Sequence, residues 1–458
     1  TAKLSVGIVS AYQLYGDGSC LSGVGFSPDD DGNLVAGTNA GANLDGTSAC
    51  KNVLIGQCAG RCITSGDNNI NIGQCAGYCI STGDRNIAIG QKAMGGAAVT
   101  GWGNIAIGCQ AGLSLTSGGY NILFGKLAGQ SMAASSHTIA IGHYAAMSST
   151  DNAGCNVFMG YEAGRYNTTG CENFYAGRQA GKTDQTGFRN VYIGMTAGRI
   201  QTGARKDNVF IGNGAGRYST ATDRSVFIGC YAGLKASGSN SSVFIGTKAG
   251  AGCSGACITG DNLIAIGQCA GYNLTTGANN VFLGTDAGKT ITTGAENIFL
   301  GCGAGGTGTM TADHNIGLGV EAGRKITSGA QNVHIGYKPG AELTTAQGTV
   351  FIGQETAEKR QTGNDNIALG TQALYGDSTP ANNTASYNIS LGSYAGKNVT
   401  SGNYNLYFGH ATGCLTTDGH SNIALGCKAL QGNVSADFNI AIGPQAGQLI
   451  GAGGCNVF

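Results

Sequence analysis

Cysteine is the residue type in this chain best equipped for chemistry. Two phrases, Cys58-Ala-Gly-Arg-Cys62 and Cys75-Ala-Gly-Tyr-Cys79, set four thiols 17 residues apart in register, and Cys253-Ser-Gly-Ala-Cys257 forms a third pair. Thiolates at fixed spacing can hold zinc or an iron–sulfur cluster. Here three residues separate the cysteines of each pair, looser than a zinc knuckle. Disulfide formation among Cys58, Cys62, Cys75, Cys79, Cys253 and Cys257 is the second reading, and small hydrophobic packing the third. The total of 17 cysteines is odd, so at least one is unpaired or bonds another chain.

The other reactive types are scattered. The six histidines (His137, His143, His314, His334, His410 and His420) fall in different stretches without ligand spacing, and read as exposed or stacked residues. No two carboxylates are marked as an acid–base pair. Asp29-Asp30-Asp31 can bind Ca²⁺ or form a solvated loop, and Trp102 can meet a sugar or fill space under its own loop. The chain therefore reads as non-enzymatic, with no catalytic residue, metal or cofactor assigned. Twenty-five basic and 25 acidic residues cancel, without a run of like charge. A phosphate-tracking surface and a nucleic-acid partner are accordingly not expected. No apolar stretch reaches the ~20 residues that span a bilayer, so membrane insertion is not expected either.

What must position all these residues is a repeat. Asn86-Ile-Ala-Ile-Gly-Gln-Lys-Ala-Met94 recurs, varied, as Asn208–Gly216 and Asn297–Gly305; with the central glycine as marker, 24 copies run from Gly37 to Gly443. A short fixed period implies a solenoid or array, whatever the length suggests about domain count. Glycine is 83 of 458 residues without collagen spacing, proline only 4, and charged residues 11% against 41% hydrophobic. Such a chain is too apolar to be disordered and needs a rigid fold with few free strand edges.

Asn86, Ile87, Ile89, Gly90 and Ala93 represent the structural positions. Apolar residues one and three before the glycine give a period of two, a strand with one face buried. The expectation is that Ile87 and Ile89 face a shared axis. The residue between them faces the other way, where runs such as Phe210, Phe227 and Phe244 stack between rungs. The asparagine can close a turn or hydrogen-bond in a ladder. The glycine marks a bend or close approach, and the following Ala-Gly a crowded corner.

Of the 23 intervals between marker glycines, 16 are 17 residues and four are 18, with single intervals of 19, 21 and 22; intervals 1, 4, 7, 10, 13 and 16 are all longer than 17. This three-repeat rhythm favours three repeats per turn of a three-sided prism over one repeat per coil. The fold class expected is all-β, a β-solenoid or β-prism fibre. Residues 1–32 stand outside the repeat as a cap or junction, and 33–458 form one array. Asn456-Val457-Phe458 begins a 25th copy, which suggests that these residues take part in head-to-tail assembly.

Asn-x-Ala-Ile-Gly-x-x-Ala resembles the head repeats of trimeric autotransporter adhesins. The fuller 17-residue form, as at Asn280–Glu296, is similar to repeats of phage tail-fibre and bacterial surface proteins. The resemblance covers about Asn33 to Phe458. It implies a left-handed β-roll, commonly three chains about one axis, serving as a rigid stalk or host-binding fibre. The function expected is thus a structural filament subunit, extracellular, on a cell surface or in a virion, self-associating end to end or as a homotrimer. The alternative is an adhesin that meets a glycan or cell-surface receptor through the loops at Gly95–Gly103, Ala251–Asp261 and Tyr375–Tyr387.

Overall fold

The computed structural model describes residues 28–44, 48–150, 154–252, 257–432, 435–451 and 453–458. It is all-β: 24 strands of three residues each, β1 (Leu34–Ala36) to β24 (Ile440–Ile442), lie in a single sheet. Each strand pairs in parallel with the next in the chain. Ile87 of β4 (Ile87–Ile89) lies beside Ile70 on one side and Ile105 on the other. One repeat is therefore one complete coil. At a rung spacing of ~4.8 Å the 24 rungs make a rod of roughly 115 Å.

This overturns the three-repeats-per-turn expectation. The longer intervals do not build a prism edge; they are absorbed in loops between strands that stay in register. Val243 pairs with Ile264 across 21 residues, and Ile367 with Ile389 across 22. The latter loop holds the one short 3-10 helix among the described residues, Pro380–Asn382. Loop length varies without disturbing the ladder, since the strands on either side keep the same register.

The facing of the strands is also the reverse of expectation. Ala88 is buried, while Ile87 and Ile89 on either side are only half-buried. The same pattern holds along the rod, with Phe210, Phe227 and Phe244 fully enclosed. A 17-residue coil is too narrow to admit two large side chains from one strand, so a three-residue strand sends one in and two out. The interior of a coil holds that central residue, the alanine three after the glycine, such as Ala93, and one residue four further on, such as Ile80 or Leu115. The apolar core runs in two stretches, Ala40–Ile326 and Leu343–Ala441. They divide where successive strands centre on Gly317 and His334.

Three devices hold the rungs in register. Asparagines form an internal ladder: the Asn86 backbone N–H donates to Asn69 Oδ1 (2.9 Å) and its amide to the Gly101 carbonyl (2.9 Å), while Asn86 Oδ1 accepts from Asn104 N and Nδ2 (both 3.0 Å). A buried amide so satisfied specifies register, because a shifted rung would strand its polar atoms. Gly90 has φ +122°, and a Cβ there would lie 2.8 Å from the carbonyl carbon of Gly108 in the next rung. No other residue fits both constraints. At the outer corner, threonine hydroxyls donate to the next rung, as from Thr275 to the Thr292 carbonyl (2.9 Å) and from Thr327 to that of Thr344 (3.1 Å).

The final residues continue the pattern. Val457 bridges to Ile440, and the Asn456 backbone N–H donates to Asn439 Oδ1 (3.1 Å). Most of the segment read as a cap lies outside the described residues. Of its acidic run, Asp29 accepts from the backbone N–H of Asp31 (3.1 Å) and of Asn33 (2.6 Å), closing a turn onto the first asparagine of the ladder.

Candidate functional site

The outward face of the sheet is the largest continuous surface feature. The two flanking positions of all 24 strands are Val, Ile, Leu, Phe, Met or Ala, with no polar side chain among them. Many are substantially exposed, including Phe124 (53%), Phe408 (56%) and Ile442 (62%). Single exposed apolar residues are ordinary on strands, but a contiguous stripe as long as the molecule is not. If each side chain leaves roughly 50 Å² uncovered, the stripe totals on the order of 2,000 Å², several times the largest patch of a typical monomer. Polar residues border it. On one side lie Gln57, Gln74 and Gln91, linked amide to amide (3.2 and 3.0 Å). On the other lie ion pairs such as Arg189–Asp207 (2.7 Å) and His314–Glu296 (2.8 Å). An apolar centre with a polar rim is the anatomy of a protein–protein interface.

The cysteines occupy a different side of the coil. Cys58 and Cys75 take the same position in adjacent rungs, joined by a bond from the Cys75 backbone N–H to the Gln57 carbonyl (2.8 Å). Cys62 and Cys79 likewise stack one above the other, with the Cys62 backbone N–H donating to the Tyr78 carbonyl (3.0 Å). All four are half-buried free thiols. Burial, and then the neighbouring Cys62 thiol, pushes the Cys79 thiol up. Among the described residues, no three or more Cys, His, Asp or Glu side chains converge as a metal site. Cys257 is exposed, and Cys253 lies outside the described residues. Trp102 is half exposed (50%) and packs against Tyr120 at 5.3 Å, so it does not fill space beneath its loop.

Among the described residues His334, Asp184 and Arg360 sit inside the rod, and sequence reasoning missed the last two. His334, read as exposed or stacked, occupies the central strand position. Its Nε2 meets Thr349 Oγ1 at 3.0 Å, its ring stacks on Phe351 at 5.0 Å, and burial holds it down to about 3. Asp184 accepts from the Tyr175 hydroxyl (2.6 Å) and the Gly187 N–H (2.9 Å); burial still pushes its carboxyl up to about 6. Arg360 is buried without a carboxylate partner. Its guanidinium donates to the carbonyls of Val399 (3.3 Å) and Ala385 (3.4 Å), and burial lowers it to about 10. The available signal was positional: each stands where other repeats carry a core residue.

No helix among the described residues is long and apolar enough to cross a membrane. No family model matches the chain, and no curated protein matches it.

Proposed function

We propose that this protein is a non-enzymatic subunit of a rigid fibre, extracellular or part of a virion, whose rods associate side by side through the apolar strand face. The observation that carries the reading is the uninterrupted apolar stripe with its polar rims. An area on the order of 2,000 Å² falls in the range of permanent interfaces. A straight stripe that runs the whole length of a rod is best covered by an equally long and straight surface, and another copy of the same rod supplies one. The likeness of the repeat to trimeric adhesin heads and tail-fibre shafts points the same way, and three copies about one axis is the arrangement it favours.

Sedimentation of the purified chain tests the side-by-side arm. Wild type sediments as an assembly of whole copies at micromolar concentration. An Ile211→Lys/Ile245→Lys variant sediments as a monomer with an unchanged β-type circular dichroism spectrum. A wild-type monomer at those concentrations refutes the reading.

A further inference from the structure

The sequence contains no run of like charge, but the fold makes one. Arg165, Lys182, Arg199 and Arg217 are 17, 17 and 18 residues apart, and one coil per repeat stacks them in a single column. Their carbonyls accept in turn from the backbone N–H groups of Ser148 (2.9 Å), Tyr166 (3.0 Å), Thr183 (3.1 Å) and Ile200 (3.0 Å), which places the four on successive rungs of one ladder. Met147 and Leu234 hold the same position in the rungs before and after. The column lies past the two left-handed corners that follow the strand, at Thr196 (φ 58°) and Gly198 (φ 53°) in the coil of Arg199. It is therefore not part of the apolar face.

Like charges one rung apart repel unless an anion sits between them. Glu162 serves the first two: its carboxylate meets Arg165 and, at 2.8 Å, Lys182. Among the described residues no carboxylate lies within ion-pair distance of Arg199 or Arg217. Tyrosines fix two of the cationic heads in advance: Arg165 lies over Tyr166 (5.0 Å) and Arg217 over Tyr218 (5.0 Å). Heads already ordered lose less freedom when an anion binds.

A cleft of about 200 Å³ adjoins the column, lined by Thr183, Gln185, Gln201, Thr202 and Gly203. It falls in the 18-residue interval from Gly194 to Gly212, where the coil carries an extra residue. Gln201 is 2% exposed; its amide N–H donates to the Gly216 carbonyl at 3.3 Å, and its Oε1 has no partner. That acceptor lies inside the rod facing Tyr192; the polar groups the cleft offers a ligand are those of Thr183, Gln185 and Thr202.

We infer that the column Arg165, Lys182, Arg199 and Arg217, with the adjoining cleft at Thr183, Gln185 and Thr202, binds a linear acidic polysaccharide laid along the rod axis. An extended pyranose chain advances about one sugar per rung, so its carboxylates or sulfates stay in step with the cations while sugar hydroxyls reach Thr183, Gln185 and Thr202. A single-stranded nucleic acid advances further per phosphate and falls out of step with the rungs. The inference goes beyond the fibre reading and does not rest on it.

The test is calorimetric titration of the full chain at two salt concentrations with a β-1,4-linked polymannuronate dodecamer, a neutral cello-oligosaccharide and a twelve-residue oligothymidylate. Polymannuronate binds, more weakly at high salt. Arg199→Gln/Arg217→Gln lowers its affinity at least tenfold. Gln185→Ala lowers it several-fold. Arg324→Gln/Lys325→Gln, in a charge-balanced cluster with Glu321 and Glu342, leaves it unchanged. Absence of polymannuronate binding, equal binding of the neutral oligosaccharide, or unchanged affinity in Arg199→Gln/Arg217→Gln overturns the inference. Tighter binding of oligothymidylate overturns it in favour of a nucleic acid. Sedimentation of the same samples reports separately on self-association, so the two readings fail independently.

Discussion

The coils centred on Phe227 and on Ala106 contain the same number of residues and share the glycine register, with Ser225 in one at the ladder position of Asn104 in the other, yet fill their interiors in opposite ways. Opposite Phe227 stands Ala236; opposite Ala106 stands Leu115, and all four are fully buried. Around Phe227 the interior is a stack of six rings, Phe158, Tyr175, Tyr192, Phe210, Phe227 and Phe244, with centroids 4.6–5.1 Å apart. In-register strands impose that spacing, since the same rotamer repeats at every rung. Where the rings are tyrosines the facing residues are Asp184 and Gln201, and Asp184 takes the Tyr175 hydroxyl. Around Ala106 the aliphatic partner provides the volume. In the coil before it, where Ala88 is central, Met94 turns inward from a left-handed position (φ 46°) that glycine holds in most coils. The lesson is that the backbone fixes a constant interior volume, and two or three positions share it.

The largest expected effect comes from emptying the aromatic side of this comparison. Phe227→Ala opens a hole between Phe210 and Phe244 and costs about 3–5 kcal/mol. It shows as lost hydrogen-exchange protection at Val226–Ile228 and Val243–Ile245, with coils far along the rod unaffected because each contacts only its neighbours. Uniform loss along the rod would mean that the array opens as one unit.

Next is the buried carboxyl that the aromatic side tolerates. The folded Asp184 binds its proton up to about pH 6, whereas the unfolded carboxyl releases it near the ordinary carboxylate value. The folded state therefore holds the extra proton between those values, and stability falls as pH rises through that window. Asp184→Asn removes the dependence and stabilises the protein at pH 7 by up to about 3 kcal/mol, with little change at pH 4. Urea midpoints of both proteins at the two pH values measure this; parallel shifts at both would remove Asp184 as the cause.

The smallest effect sharpens the volume rule. Ala106→Phe overpacks its coil at a cost of about 1–3 kcal/mol. Adding Leu115→Ala reproduces the arrangement at Phe227 and Ala236 and recovers most of that loss. A double variant no more stable than Ala106→Phe alone would show that the two positions do not share volume.

Much of the ladder was legible because its constraints are local. Asn86 and Gly90 announce an amide and a bend at every rung, and their spacing counts the coils. The left-handed corners were not legible: Cys58, Cys75 and Lys92 adopt φ of 54–57° without the asparagine or glycine that usually marks such a corner. Stacking constrains them more strongly than their own propensity does. The candidate surfaces were hidden for the same reason. A pattern of period two is identical whichever phase faces inward, so Ile87 and Ile89 read as core although Ala88 occupies it. Arg199 and Arg217 are isolated in the chain and adjacent only in space.

By itself, then, the sequence determined an all-β array of 24 strands, their positions, and the residues that lock one rung to the next, because each of those demands is met within a single repeat. Only the tertiary structure decided that one repeat closes one coil, that the single central side chain turns inward, and that residues 17 apart become neighbours. Those outcomes depend on how a closed coil divides its narrow interior and on which copies touch, and no single repeat contains that information.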